Sequence, residues 1–248
     1  MKYPHQLTDH PDFCLDWQMT NCERFALQGL LHRLSPPMSI EIGTYRGGSL
    51  QVLSRFSDKV VSIDIDPEVC RRLDGKFTNV EYLAGDSASI LPALVEKINR
   101  EETPVGFILI DGDHSTEGVR RDIDFLLELK PQQRIVVIMH DSFNPTCREG
   151  MKTAGWDKSP HVTWVEIDFI PGIFHWEAHD TAPARSMWGG FGCAVLEPEE
   201  RKHALAIKES QKALFEATFA RSSHAGEHSF RHRLKSVAGR IRRKISKL

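Results

Sequence analysis

Between residues 38 and 139 short apolar runs alternate with stretches of helical periodicity, and few folds accept such a chain. The spacing predicts strands at 38–42, 60–65, 80–84, 106–111 and 135–139, separated by helices at 49–56, 67–76, 88–98 and 117–129. The central runs FILID and IVVIM show no polar alternation, as expected of strands covered on both faces. Strands spaced by helices imply an α/β fold with a doubly wound, mostly parallel sheet. In such sheets ligands bind outside the carboxyl ends of the strands. The residues at those ends are the ones to read for chemistry.

The first strand closes in Glu41-Ile42-Gly43, and Thr44-Tyr45-Arg46-Gly47-Gly48 lead to Ser49 at a helix start. Gly43 and the Gly47-Gly48 pair permit positive φ and let backbone approach a ligand. The helix N-terminus offers unpaired N–H groups. A P-loop requires lysine where Ser49 stands, and Thr44-Tyr45 interrupt the G-x-G-x-x-G of a dinucleotide site. The second strand ends in Asp64 and Asp66, where an acid suits ribose hydroxyls. Asp64 is the first candidate and Asp66 the second, with capping of the helix at Pro67 as the other job for either. Asp86, after the third strand, stands between the adenine region and the same capping task. Loop and acid together favour nucleoside binding.

The fourth strand ends in Asp111-Gly112-Asp113-His114 and the fifth in His140-Asp141-Ser142. Neighbouring strand ends carry Asp111 and Asp141 into one crevice. Two carboxylates there repel unless one is protonated or a cation lies between them. Oxygen ligands suit magnesium, calcium or manganese. His114, just past the strand, is suited to accept a proton from a substrate hydroxyl. The plainer alternative has Asp113 capping the next helix, His114 in a turn and Asp141 bonding loop amides.

In order and spacing, EIGTYRGGS, VVSIDIDPE, GDS, FILIDGDHSTEGVRRDI and IVVIMHDS resemble class I S-adenosylmethionine (SAM) methyltransferases. The form IDGDHS…EG…D followed by HD is similar to the sugar O-methyltransferases of macrolide biosynthesis and their cephalosporin hydroxylase-like relatives. The resemblance covers residues 36–145. It implies a Rossmann-like fold ending in an antiparallel hairpin, and SAM held by Glu41, Gly43, Tyr45, Gly47, Ser49, Asp64, Asp86 and Asp111. It further implies magnesium or another divalent cation on Asp111, His140 and Asp141, with His114 as general base. The sequence departs from the metal-dependent sugar enzymes at His140, where an acid is usual, and imidazole suits magnesium poorly. The implied reaction is methyl transfer to a hydroxyl of a small acceptor, a sugar or glycoconjugate. Two other classes stay open. The missing G-x-G-x-x-G argues against a nicotinamide-dependent oxidoreductase, and the intact Asp111, His114 and Asp141 argue against a non-catalytic SAM-binding scaffold.

Residues 1–37 read as an N-terminal extension with a helix at 21–34, burying Phe25, Leu27, Leu30, Leu31 and Leu34 before Ser35-Pro36-Pro37 stop it. The methyltransferase domain spans 38–200. Within its weaker stretch 143–190, Trp156, Trp176 and Trp188 either stack on an acceptor or belong to the core. Residues 191–196 form the final strand, beside 161–169. The C-terminal extension, 201–248, carries most of a helix over 197–222 and then a tail. From 231 to 248 the tail holds eight Lys/Arg and no Asp/Glu, against −2 for the whole chain, so the remaining residues carry −10. Leu234, Val237, Ile241, Ile245 and Leu248 step along one side of it, a basic amphipathic pattern that suits a membrane surface. The acidic remainder argues against nucleic acid. Five cysteines without a CxxC pair read as reduced thiols, and the first residues show no signal-peptide core. The expected location is the cytoplasm, with the tail at the inner face of the membrane. A homo-oligomer in which N-terminal residues complete a neighbour's site is compatible with this pattern.

Overall fold

The computed structural model describes residues 13–178 and 182–225. Helix α1 (Asn21–Leu34) opens in a capping box: the Thr20 hydroxyl accepts from the Glu23 amide while the Glu23 carboxylate accepts from the Thr20 amide. The predicted alternation follows: β1 (Met38–Ile42), α2 (Gly48–Phe56), β2 (Lys59–Asp64), α3 (Pro67–Leu73), β3 (Val80–Ala84), α4 (Ser87–Glu101), β4 (Phe107–Ile110), α5 (Thr116–Leu126) and β5 (Ile135–His140). Beyond it come α6 (Pro145–Thr153), a 3₁₀ turn at Trp156–Lys158, β6 (Val162–Ile170), β7 (Ile173–His175), β8 (Ser186–Trp188), β9 (Phe191–Leu196), β10 (Ile207–Lys208) and α7 (Lys212–Phe219).

Eight strands form one sheet in the order β10-β6-β9-β5-β4-β1-β2-β3, and β7 pairs with β8 in a separate two-stranded sheet. The five strands of the alternating unit are all parallel. β9 runs antiparallel between β5 and β6, the hairpin expected at the end of the domain. The chain builds outward from β1 to β3, then returns to lay β4 on the other side of β1. That reversal is where open α/β sheets bind ligands, and it sets the ends of β1, β4 and β5 side by side.

Apolar side chains pack on both faces. Ile40, Ile42, Ile108 and Ile110 join Leu91 and Val95 of α4, Ile123 of α5 and Met151 of α6 on one side. Phe107, Leu109 and Val60 join Leu27 and Leu31 of α1, Leu50 and Leu53 of α2 and Leu73 of α3 on the other. Two-sided burial is why the central strands lack alternation.

The structure corrects two expectations and decides one alternative. Phe25 is 56 % exposed, because the buried side of α1 is Glu23, Arg24, Leu27 and Leu31. Trp156 is core, its indole N–H donating to the Met151 carbonyl at 2.7 Å. The helix expected over 197–222 is shorter. Ile207 pairs with β6, and the amides of Ser210 and Gln211 donate to Glu166 and Asp168, so α7 starts only at Lys212. Helix α6 went unpredicted although Asn144-Pro145 is a capping signature, with Asn144 accepting from the Thr146 amide. The basic stretch 231–248 lies outside the described residues. Among the described residues no helix is long and apolar enough to cross a membrane.

Candidate active site

The glycine loop is shaped by its own chain. Gly43 leaves β1 with φ 87°, and a Cβ there would lie 1.9 Å from the Asp111 carbonyl oxygen. At Gly48 a Cβ would lie 2.6 Å from the Asp16 carbonyl, because residues 13–20 run as a strap across the start of α2. Gln51 clamps the strap, accepting from the Leu15 amide at 2.8 Å and donating to its carbonyl at 3.0 Å. These glycines therefore clear space for the chain's own backbone, where the sequence suggested a ligand. Gly47 takes φ 84° at the start of α2, and Tyr45 sits at φ 46° with its ring exposed.

The acids beneath and beside the loop divide into two kinds. Glu41 is fully buried, its oxygens taking the hydroxyls of Ser49 at 2.5 Å and Ser62 at 3.0 Å. Burial pushes its pKa up to about 7, although those hydroxyls pull the other way. Glu41 and Ser49 thus meet each other under the loop and do not face the crevice. Asp64 accepts from the amides of Thr44 at 2.9 Å, Tyr45 at 2.8 Å and Asp66 at 2.9 Å, tying the loop to β2. Asp66 and Asp86 cap α3 and α4 through the amides of Glu68 and Ala88. Carboxylate oxygens keep further lone pairs beyond such bonds. At the strand ends Ile65 is 75 % exposed and Tyr45 54 %, uncovered apolar surface next to Asp64 that suits a flat ring beside a ribose.

At the switch point the structure brings Asp111, His114 and Asp141 together, one ligand atom from each lying within 4.8 Å of the others. Ser115 caps α5 by accepting from Gly118 N–H, so His114 projects from the turn between β4 and that helix. His114 Nε2 stands 3.1 Å from Asp141 Oδ2 and 3.6 Å from Asp111 Oδ1. Asp111, followed by the attraction of Asp141, raises the His114 pKa above the ordinary imidazole value, against partial burial. Asp141 holds φ 60° and accepts from the Gly189 amide at 2.6 Å, so the loop-amide role weighed for it occurs. A left-handed aspartate at a strand end is the kind of strain that functional sites retain.

His140 does something else. Its Nδ1 lies 2.9 Å from Asp111 Oδ1 and its Nε2 3.1 Å from Glu23 Oε1. Ionised carboxylates only accept, so both ring nitrogens must donate. Burial alone would lower the His140 pKa, but Asp111, Asp141 and Glu23 outweigh it and hold the pKa well above the ordinary value. In return Asp111 falls to about 2 despite its burial. Asp141 moves up, since burial and the repulsion of Asp111 exceed what the histidines return. An imidazolium has no lone pair for a metal. The expected set was Asp111, His140 and Asp141, whereas the three side chains whose ligand atoms lie close enough to share an ion are Asp111, His114 and Asp141. Two oxygens and one imidazole nitrogen at this spacing fit a divalent cation with open positions, and the nitrogen favours manganese or zinc over magnesium.

Glu23 did not emerge from the sequence: the structure shows it closing a capping box, and nothing near it in the chain signals the site. Trp188, one of three tryptophans considered for acceptor contact, lies edge-on to His114 with ring centroids 5.6 Å apart. Its indole N–H is buried and finds no hydrogen-bond partner among the described residues. Trp176 is exposed and Trp156 is core.

Residues 40–142 match a family described as a methyltransferase domain, from β1 to just past β5. No curated protein matches the sequence. Among solved structures, the O-methyltransferase TomG from Streptomyces achromogenes, involved in tomaymycin synthesis and solved with SAM, superposes with TM-score 0.53 at 18 % identity, over 78 % of this chain and 86 % of its own. Rv0187 from MTB, cofactor-bound, gives 0.53 at 20 % identity over 75 % and 85 %. An O-methyltransferase from Bacillus cereus with SAH gives 0.50 at 19 % identity over 73 % and 83 %. Fold and family match together define the class: the fold is the Rossmann-like class I methyltransferase fold, and residues 40–142 match a methyltransferase domain within it.

Proposed function

We propose that this chain transfers a methyl group from SAM to a hydroxyl of a small acceptor, a sugar or glycoconjugate being the best fit. The observation that carries this reading is His114 held against Asp141 at the switch point. Bound SAM supplies an electrophilic methyl on a sulfonium. The acceptor hydroxyl must lose its proton as that methyl arrives. With His114 Nε2 donating to Asp141 Oδ2, its Nδ1 is the nitrogen left to accept that proton, and the resulting cation is stabilised by Asp141 and Asp111. Trp188 beside His114 supports a sugar or aromatic acceptor, offering a ring face.

On this reading the rim of Tyr45, Asp64 and Asp86 contacts SAM, with Gly43, Gly47, Glu41 and Ser49 shaping that rim from below. A second arrangement is favoured by the three-residue cluster. If a divalent cation is held by Asp111, His114 and Asp141, it would orient acceptor oxygens and lower their pKa. His114 Nε2 cannot both ligate and donate to Asp141, so the two arrangements are exclusive at that atom. The same enzyme would work at the inner face of the membrane if the basic tail holds it there.

Thermal denaturation of the full chain with SAM, with and without manganese and after chelation, tests both. A ligand that binds only the folded state raises its stability. A shift with SAM that manganese augments supports the metal arrangement, whereas one indifferent to chelator supports His114 acting with Asp141. No shift with SAM under any condition overturns the methyltransferase reading.

A further inference from the structure

We propose that Glu23, in the N-terminal helix, is a positioning residue for the acidic cluster, acting through His140. The inference rests on the methyltransferase reading above for its purpose, though not for its geometry.

Glu23 is a glutamate with no exposed surface, 117 residues before its partner in the chain. Its Oε2 accepts from the Thr20 amide and closes the capping box. Its Oε1 accepts from the Gly190 amide and faces His140 Nε2 at 3.1 Å. A helix cap does not require burial or a second set of partners. The strong cap that α1 would have at the surface has instead been turned into the crevice, where a charged group is costly unless it is paired.

The pairing runs in one line. Glu23 faces Nε2 of His140, and Nδ1 of the same ring faces Asp111 Oδ1 at 2.9 Å. With both nitrogens engaged, the ring cannot rotate without breaking one contact. Phe191 lies edge-on to it at 5.6 Å and closes another side. Asp111 is thereby fixed at the point where it meets His114. The neighbouring Gly189-Gly190 turn is held from two sides, Gly190 N–H donating to Glu23 and Gly189 N–H to Asp141 Oδ1 at 2.6 Å. Both glycines take positive φ, 70° and 82°, and a Cβ on Gly189 would come 2.9 Å from Glu23 Oε1. The N-terminal helix, outside the stretch that matches the methyltransferase family, thus orients one residue of the cluster through His140 and another through the turn. Outer partners of this kind fix ring orientation and tautomer in metal sites and acid–base pairs alike.

The test is a two-bond proton–nitrogen correlation spectrum of the imidazoles in the full chain labelled at histidine, with His140 assigned by its absence in His140→Gln. In the wild type, the His140 Nε2 hydrogen is expected to exchange slowly, held on Glu23 Oε1. A His140 Nε2 without a slowly exchanging hydrogen overturns the proposal, and this result requires no variant of Glu23. Glu23→Gln keeps an oxygen for the amides of Thr20 or Gly190 but removes the charge facing Nε2. It is expected to change the His140 pattern and shift the His114 signals, with S-adenosylhomocysteine affinity by calorimetry unchanged. Unchanged His140 and His114 signals in a folded Glu23→Gln also overturn it. If S-adenosylhomocysteine fails to bind even the wild type, the methyltransferase reading fails while the spectra still decide the role of Glu23.

Discussion

At the scale of single residues, the site separates groups that move protons from groups that hold others still. His114 has one ring nitrogen against Asp141 and the other unassigned, which is the arrangement of a base. His140 has both nitrogens committed, which is the arrangement of a strut. His114→Ala is therefore expected to lower kcat for the best acceptor in a sugar panel by about 10²–10⁴-fold, the usual worth of a general base. Labelled methyl transfer from SAM measures this, and full retention of turnover would remove His114 from the role. Glu41 gives a separate pH prediction. Its folded pKa is about 7 against an ordinary 4.5, so the folded state holds a proton that the unfolded state releases. Its contribution is fully present below about 4.5 and is lost as pH rises through 7. The melting temperature of Glu41→Gln should accordingly fall less than the wild type's between those limits. Parallel melting curves against pH would refute the assignment.

At the scale of elements, the loop after β5 is held by α6 and α7 as much as by the sheet. Arg148 of α6 is buried, donating to Asp168 through Nη1 at 2.6 Å and Nη2 at 3.2 Å, to Glu209 at 2.9 Å and to the Ser142 carbonyl at 3.3 Å. Its guanidinium also lies 4.2 Å from the Phe215 ring centroid in α7. Removing one partner of a buried pair leaves the other charge uncompensated, at about 3–5 kcal/mol. Arg148→Met should destabilise the chain by that order, read from urea denaturation, and should loosen the loop at Asp141-Ser142. Adding Asp168→Leu to Arg148→Met should restore part of the loss, since the stranded carboxylate is then gone.

This network also explains what the sequence hid. The five parallel strands were legible because two-sided burial writes itself as unbroken apolar runs. Capping acids at 66 and 86 were legible as alternatives, and capping is where both are found. The end of the domain was not legible, because carboxylates on β6 take the amides at 210 and 211 and shorten the helix that periodicity suggested. Glu23 was invisible for the same reason. A partner 117 residues away leaves no mark on local spacing. Asp111, His114 and Asp141 were legible as neighbours because strand ends converge, whereas only the fold reveals that Glu23 lies on the far side of His140.

At the scale of the whole molecule, charge is segregated along the chain. Eight Lys/Arg between 231 and 248 follow a remainder of net −10, and the apolar residues of that stretch fall at amphipathic intervals. Near an anionic surface each basic residue contributes about 1 kcal/mol, decaying within a Debye length. Enough such residues hold a chain to a bilayer without a spanning helix, and the acidic remainder, repelled by the same surface, would keep the body of the enzyme facing the water. The full chain is therefore expected to sediment with vesicles rich in anionic lipid at low salt and to be released as salt rises. A chain ending at residue 225 should remain in the supernatant while keeping the wild-type melting temperature and SAM shift, because the core clusters on the two faces of the sheet are built from residues between Phe13 and Leu205. Equal sedimentation of the two chains would remove the tail from membrane binding. Should the tail be released by vesicles yet retained by RNA at the same ionic strength, the charge would be serving nucleic acid, and the acceptor screen would move from sugars to nucleotides.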